Sequence, residues 1–120
     1  MKQAKKKYFM PKLVRLICGT STKSWIVGGA ADPTSKEIKD FDIAVSYSDW
    51  PTVANLIPKK AKPTLFGGWK VKENGWDIDI WPSEIIDIFH CQKCEWMWQP
   101  QLNIRIQRQP AESIRKIQAY

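Results

Sequence analysis

A chain of 120 residues with 43% hydrophobic residues and seven tryptophans has material for one hydrophobic core, too little for two, and too much for a disordered segment. The formal net charge of +7 and the pI near 9.4 favour polyanionic partners, nucleic acid or the phosphates of a nucleotide. No apolar run approaches a membrane span, and the basic start, MKQAKKKYFMPK, lacks the apolar segment of a signal peptide, so the expectation is a cytoplasmic protein with no membrane partner.

Residues 1–10 read as a basic N-terminal arm and 11–120 as one domain. From Lys12 to about Cys18, the apolar positions Leu13, Val14, Leu16 and Ile17 suit a short helix that packs one face inward. SWIVGG, residues 24–29, is a brief apolar strand stopped by two glycines. ADPTSKEIKD holds an Asp-Pro and reads as a loop. DFDIAVSY, residues 40–47, alternates strictly, with Phe41, Ile43 and Val45 on one side and Asp40, Asp42 and Ala44 on the other. SDWPTVANLIPKK has helix start signals, Ser48 or Asp49 as N-cap and Pro51 in the first turn, and Pro58 ends it. PTLFGGWKVKENGWDIDIW predicts a hairpin: TLFGGWKVK, a turn at ENG, and WDIDIW returning antiparallel. PSEIIDIF is a short helix or turn. A Trp-rich segment, CEWMWQPQLNIRIQ, follows, and a last helix starts near Pro110. This order predicts an α/β (α+β) domain, a mixed sheet with helices on one side.

Asp40 and Asp42 share a strand face, as do Asp77 and Asp79 in WDIDIW. Like charges at that spacing, about 6.6 Å along a strand, repel, and each costs free energy if it is desolvated alone. A bound cation resolves the conflict by keeping clustered carboxylates ionised and paired. Upstream, Gly28-Gly29 lets backbone come close to a phosphate, with no Cβ in the way. Glycine pair, loop, Asp-x-Asp and a later aspartate are the parts of metal-assisted nucleotidyl transfer, in which two metal ions bridge attacking and leaving oxygens.

VGGAADPTSKEIKDFDIAV followed by LFGGWKVKENGWDIDIWPSE resembles the DNA-polymerase-β-like nucleotidyltransferase superfamily, and within it the head domain of bacterial poly(A) polymerases and tRNA nucleotidyltransferases. The likeness covers roughly residues 24–89. It implies the palm-like fold of that superfamily, with Gly28 and Gly29 on the triphosphate. Asp40 and Asp42 match the metal-binding pair and Asp79 the third carboxylate, with Asp77 as the alternative on the same strand face. It also implies two Mg²⁺ ions, with Mn²⁺ as a substitute, and an NTP, ATP or CTP, as donor. The expected acceptor is an RNA 3′ end. In two respects the chain departs from the pattern. The stretch after the glycines, AAD, has no arginine, and the long helical region that selects the base in those enzymes has no counterpart here. A protein partner replacing that region is a further expectation, and a catalytically silent nucleotide- or RNA-binding regulator, antitoxin-like, is the alternative function.

Other residues carry two readings each. Lys36 and Lys39 lie between glycines and carboxylates, where they neutralise triphosphate charge or simply form an exposed loop. Trp69, Trp76 and Trp81 stack a base or, the preferred reading, fill the core. Trp96 and Trp98 alternate onto one strand face, as core or partner surface. Cys91 and Cys94 form a C-x-x-C beside His90; a zinc site there needs Cys18 as fourth ligand, and two reduced thiols are the simpler reading.

Overall fold

Strand β2, Asp40–Val45, carries the alternation that organises the molecule: Phe41, Ile43 and Val45 are buried on one face, while Asp40 is exposed and Asp42 half-buried on the other. The computed structural model describes residues 10–35, 37–38, 40–64, 67–86 and 95–107. Around β2 it builds a seven-stranded sheet from β1 (Ser24–Val27), β3 (Lys62–Pro63), β4 (Trp69–Glu73), β5 (Trp76–Pro82), β6 (Trp96–Gln99) and β7 (Ile104–Gln107), in the order β3-β4-β5-β2-β1-β6-β7. Strand β2 pairs parallel with β5 and antiparallel with β1. The parallel pair is possible because residues 46–75 form a long crossover.

One face of the sheet holds the main core. Ile26, Phe41, Ile43, Val45, Val71, Ile78 and Ile80 are buried there beneath α1 (Lys12–Thr20) and Val53 of α2 (Trp50–Ala54). Helix α1 contributes Leu13, Val14, Ile17 and Cys18, each large apolar side chain worth about 1.5–3 kcal/mol on burial. Its first turn lacks a side-chain cap of its own, and the Leu13 N–H donates to Glu73 of β4 at 3.3 Å, which brings a carboxylate to the positive end of the helix. At the other end, Gln101 Nε2 donates to the Cys18 carbonyl at 2.9 Å and to Ser24 Oγ at 2.5 Å. This ties the turn between β6 and β7 to the helix.

The tryptophans are mainly core. Trp76 is buried against Phe41, with ring centroids 5.3 Å apart, and Trp69 stacks on Trp50 at 5.0 Å. Trp96 and Trp98 pack against the main core, and the Arg105 guanidinium lies 4.4 Å from the Trp98 ring centroid. Trp81 falls on the opposite face, in register with Ala44.

The chain is therefore not a helix-packed, palm-like α/β domain. Among the described residues the helices run to nine residues in α1, five in α2 and four in α3 (Ser83–Ile86), and the seven-stranded sheet dominates. Two physical reasons account for the difference. Helix α2 ends at Ala54, before Pro58 is reached, so the expected helix over 48–58 is cut to little more than a turn. The Trp-rich segment pairs as a hairpin, β6 with β7, and extends the sheet past β1. Asp49 is not a side-chain cap for α2 either: it is buried and accepts from the Lys23 N–H at 2.8 Å and Thr22 Oγ1 at 2.9 Å. The predicted hairpin stands with a tighter turn, Asn74-Gly75, both at positive φ (51° and 83°), the geometry of a two-residue turn. Its first strand starts only at Trp69. Gly68 lies so close to the Ile80 carbonyl that any Cβ would overlap it. The N-terminal arm, apart from Met10, and the final helix lie outside the described residues. No helix among these residues is long and apolar enough to cross a membrane.

Candidate active site on the acidic face

The second face of the sheet is read most directly along one rung. Lys62, Lys70, Asp79, Asp42, Val27, Met97 and Ile106 are successive cross-strand partners from β3 to β7. Basic side chains occupy one edge of the rung, carboxylates the middle, and apolar groups the rest. The neighbouring rung repeats the first part as Lys72, Asp77 and Asp40. Parallel pairing of β2 with β5 thus sets the two Asp-x-Asp motifs side by side, Asp40 against Asp77 and Asp42 against Asp79.

The electrostatic consequence concentrates on Asp42. Burial raises its pKa, the charges of Asp40 and Asp79 and a hydrogen bond with Asp79 add to the effect, and Lys70 opposes it. The carboxyl is pushed up to about 7. Near neutrality Asp42 still holds its proton part of the time, hydrogen-bonded to Asp79. The lysines of β4 compensate from the side: Lys70 Nζ stands 3.8 Å from Asp79 and Lys72 Nζ 3.7 Å from Asp77. Asp79 is the more enclosed of the two partners, at 21% side-chain exposure against 60% for Asp77, which favours Asp79 over Asp77 as the partner of Asp42.

Gly28 joins this group. It follows β1, opens a short 3₁₀ turn (Gly28–Ala30) and has φ +75°, a conformation open to glycine at little cost. A Cβ on Gly28 would sit 3.4 Å from Asp42 Oδ2. Gly29 is the exposed second residue of the turn. The structure thus brings together Gly28, Asp40, Asp42, Asp77 and Asp79, while Lys36 and Lys39 lie outside the described residues.

Beside the carboxylates is a cavity of about 440 Å³ whose charged walls are Asp40, Asp77 and Asp79 and the lysines at 60, 62, 70 and 72. Asp42 and the two glycines are not part of its lining. Lys70 and Lys72 were not singled out in the sequence, although the signal is there. Once the turn is placed at Asn74-Gly75, antiparallel pairing must set Lys72 against Asp77 and Lys70 against Asp79.

As arranged, no three His, Cys, Asp or Glu side chains among the described residues form a ready-made metal cage. The donor set itself is all oxygen, the type taken by a hard cation such as Mg²⁺ that keeps several of its waters. The zinc alternative is weaker. His90, Cys91 and Cys94 lie outside the described residues, and Cys18 is buried in the main core with its thiol pushed up to about 11, chiefly by burial, which keeps it protonated. Among known proteins, no family model, no curated protein and no solved structure matches the chain.

Proposed function

We propose that this protein is a Mg²⁺-dependent nucleotidyltransferase that moves a nucleoside monophosphate from an NTP to a hydroxyl, an RNA 3′ end, and releases pyrophosphate. The observation that carries the reading is the juxtaposition of Gly28, Asp42 and Asp79. Residues from three separate segments, already suspected from their spacing and from the resemblance over residues 24–89, converge on one face. Asp40, Asp42 and Asp79 are the residues to hold the cation, and the likeness to the nucleotidyltransferase superfamily supplies the count of two ions. Mg²⁺ bound at such a site supplies positive charge to the phosphoryl oxygens.

The side chains have distinct tasks. Asp42 is poised between protonated and ionised forms near neutrality and gives up its proton when a cation is held. Gly28 and Gly29 receive the triphosphate. The acceptor oxygen forms a bond to the α-phosphorus, the bond to the pyrophosphate oxygen breaks, and the hydroxyl proton passes toward Asp79. The free buried thiol of Cys18 suits the reducing cytoplasm.

The test is pyrophosphate release from each of the four NTPs with Mg²⁺ and total RNA, wild type beside Asp40→Asn/Asp42→Asn. Turnover with one NTP, lost in the double variant, is the expected outcome and names the base. Nucleotide or RNA binding without turnover would replace the enzyme by a binding protein on the same residues.

A further inference from the structure

The two sides of the carboxylate pair differ in a way that assigns the two reactants to different places. Along the central rung the order is Lys62, Lys70, Asp79, Asp42, Val27. Gly28 follows Val27, so the glycine turn lies on the β1 side of Asp42 and the lysines lie on the β4 side of Asp79. Resting on the function proposed above, the triphosphate belongs on the glycine side. In an in-line displacement the attacking oxygen approaches opposite the leaving pyrophosphate, which leaves the lysine side for the acceptor.

That side is built for a polyanion. The cavity is walled by four lysines, and only two of them face a carboxylate, Lys70 at 3.8 Å and Lys72 at 3.7 Å. Among the described residues no ion pair involves Lys60 or Lys62, both exposed and lining the cavity, Lys62 in the edge strand β3 and Lys60 two residues before it. A cation held by Asp40, Asp42 and Asp79 would release Lys70 from Asp79 as well. A protein side chain or a small-molecule hydroxyl has no use for such a row of charges, whereas the phosphates of a single strand do.

We propose that the acceptor is a single-stranded RNA whose backbone crosses the β3 edge of the sheet, with its phosphates on Lys60 and Lys62 and its 3′ end directed to Asp79. These lysines position the strand and take no part in the chemistry.

The experiment measures binding of a short fluorescent single-stranded RNA by the full chain in Mg²⁺-free buffer over a range of salt concentrations. Lys60→Gln/Lys62→Gln is compared with wild type and with Lys12→Gln/Lys23→Gln, a pair off the cavity that removes the same charge. The rim variant is expected to flatten the slope of log K against log salt by about 1.4, two phosphate contacts on a single strand, and to leave ATP and CTP affinity unchanged; the control pair changes the slope little. Equal effects from both pairs, no effect from the rim pair, or loss of NTP binding in place of RNA binding would overturn the assignment. Transfer activity is followed separately in the same proteins. Turnover indifferent to the rim lysines removes the strand path and leaves the enzyme, whereas lysine-dependent RNA binding without turnover in any protein removes the enzyme and leaves the strand path.

Discussion

Replacing Asp42 by asparagine should make the metal-free protein more stable, and increasingly so as pH rises. Burial and the neighbouring carboxylates lift the Asp42 pKa from 3.8 to about 7. Between those values the folded state keeps a proton that the unfolded chain releases, so stability is greatest below about pH 4 and declines until about pH 7. At about 1.4 kcal/mol per pH unit the full gap is worth up to ~4 kcal/mol, with about 2.7 kcal/mol of it lost above pH 5. Water reaches this half-buried side chain, so the measured figure should fall below that ceiling. The side-chain amide of the Asp42→Asn variant carries no charge at any pH and still donates a hydrogen bond to Asp79, as the protonated acid does. The assay is urea unfolding of wild type and Asp42→Asn in EDTA at several values between about pH 5 and pH 8. Both proteins keep Asp49, so its contribution cancels. A stability difference that stays flat across this range, or a variant that is less stable throughout, would refute the crowded-carboxylate account. If the aspartates hold Mg²⁺, adding it should stabilise the wild type and not the variant.

The other expectations are simpler to test. Gly28→Ala forces a side chain into a φ of +75° and sets its methyl 3.4 Å from Asp42 Oδ2, a cost of about 1–2 kcal/mol in urea unfolding; a loss under ~0.3 kcal/mol would mean that the turn relaxes. Asp49→Ala strips the acceptor from the Lys23 N–H and the Thr22 hydroxyl and should cost about 1–3 kcal/mol at neutral pH. Burial alone would raise the Asp49 pKa, but those hydrogen bonds win and lower it. Its contribution is therefore present above the ordinary carboxylate range and is lost as pH falls through the depressed value, so the difference between wild type and variant should shrink in acid.

Much of the site was legible in the sequence because its parts are short-range. Alternation alone places Asp40 and Asp42 on one face of β2 and Asp77 and Asp79 on one face of β5, and Gly28-Gly29 ends an apolar strand. The Asn74-Gly75 turn fixes the lysine partners of β5. Less legible was whatever depends on distant chain. The segment after Glu95 has no Gly to mark a turn between β6 and β7, and its turn signals are only Pro100 and Asn103, the latter at φ 52°. The short length of α2 was hidden for a similar reason: Asp49, a plausible cap by type, is instead held by Thr22 and Lys23 across the fold.

The decisive step, meeting of the two Asp-x-Asp motifs, is a register that no local turn sets. Strands β2 and β5 are parallel and joined by a long crossover, so side-chain patterning has to choose their alignment. A slip by one residue would set Asp42 beside Ile78 or Ile80 and drive one strand's carboxylates into the main core, at a cost of several kcal/mol per buried charge. Slips by an even number keep the faces matched and are not excluded on that ground. The observed alignment opposes all four carboxylates in two rungs, the most repulsive of the even registers for carboxylates alone. The sheet accepts that repulsion, partly relieved by Lys70, Lys72 and the raised pKa of Asp42. A register held against its own electrostatics supports the view that the carboxylates stand together for a cation.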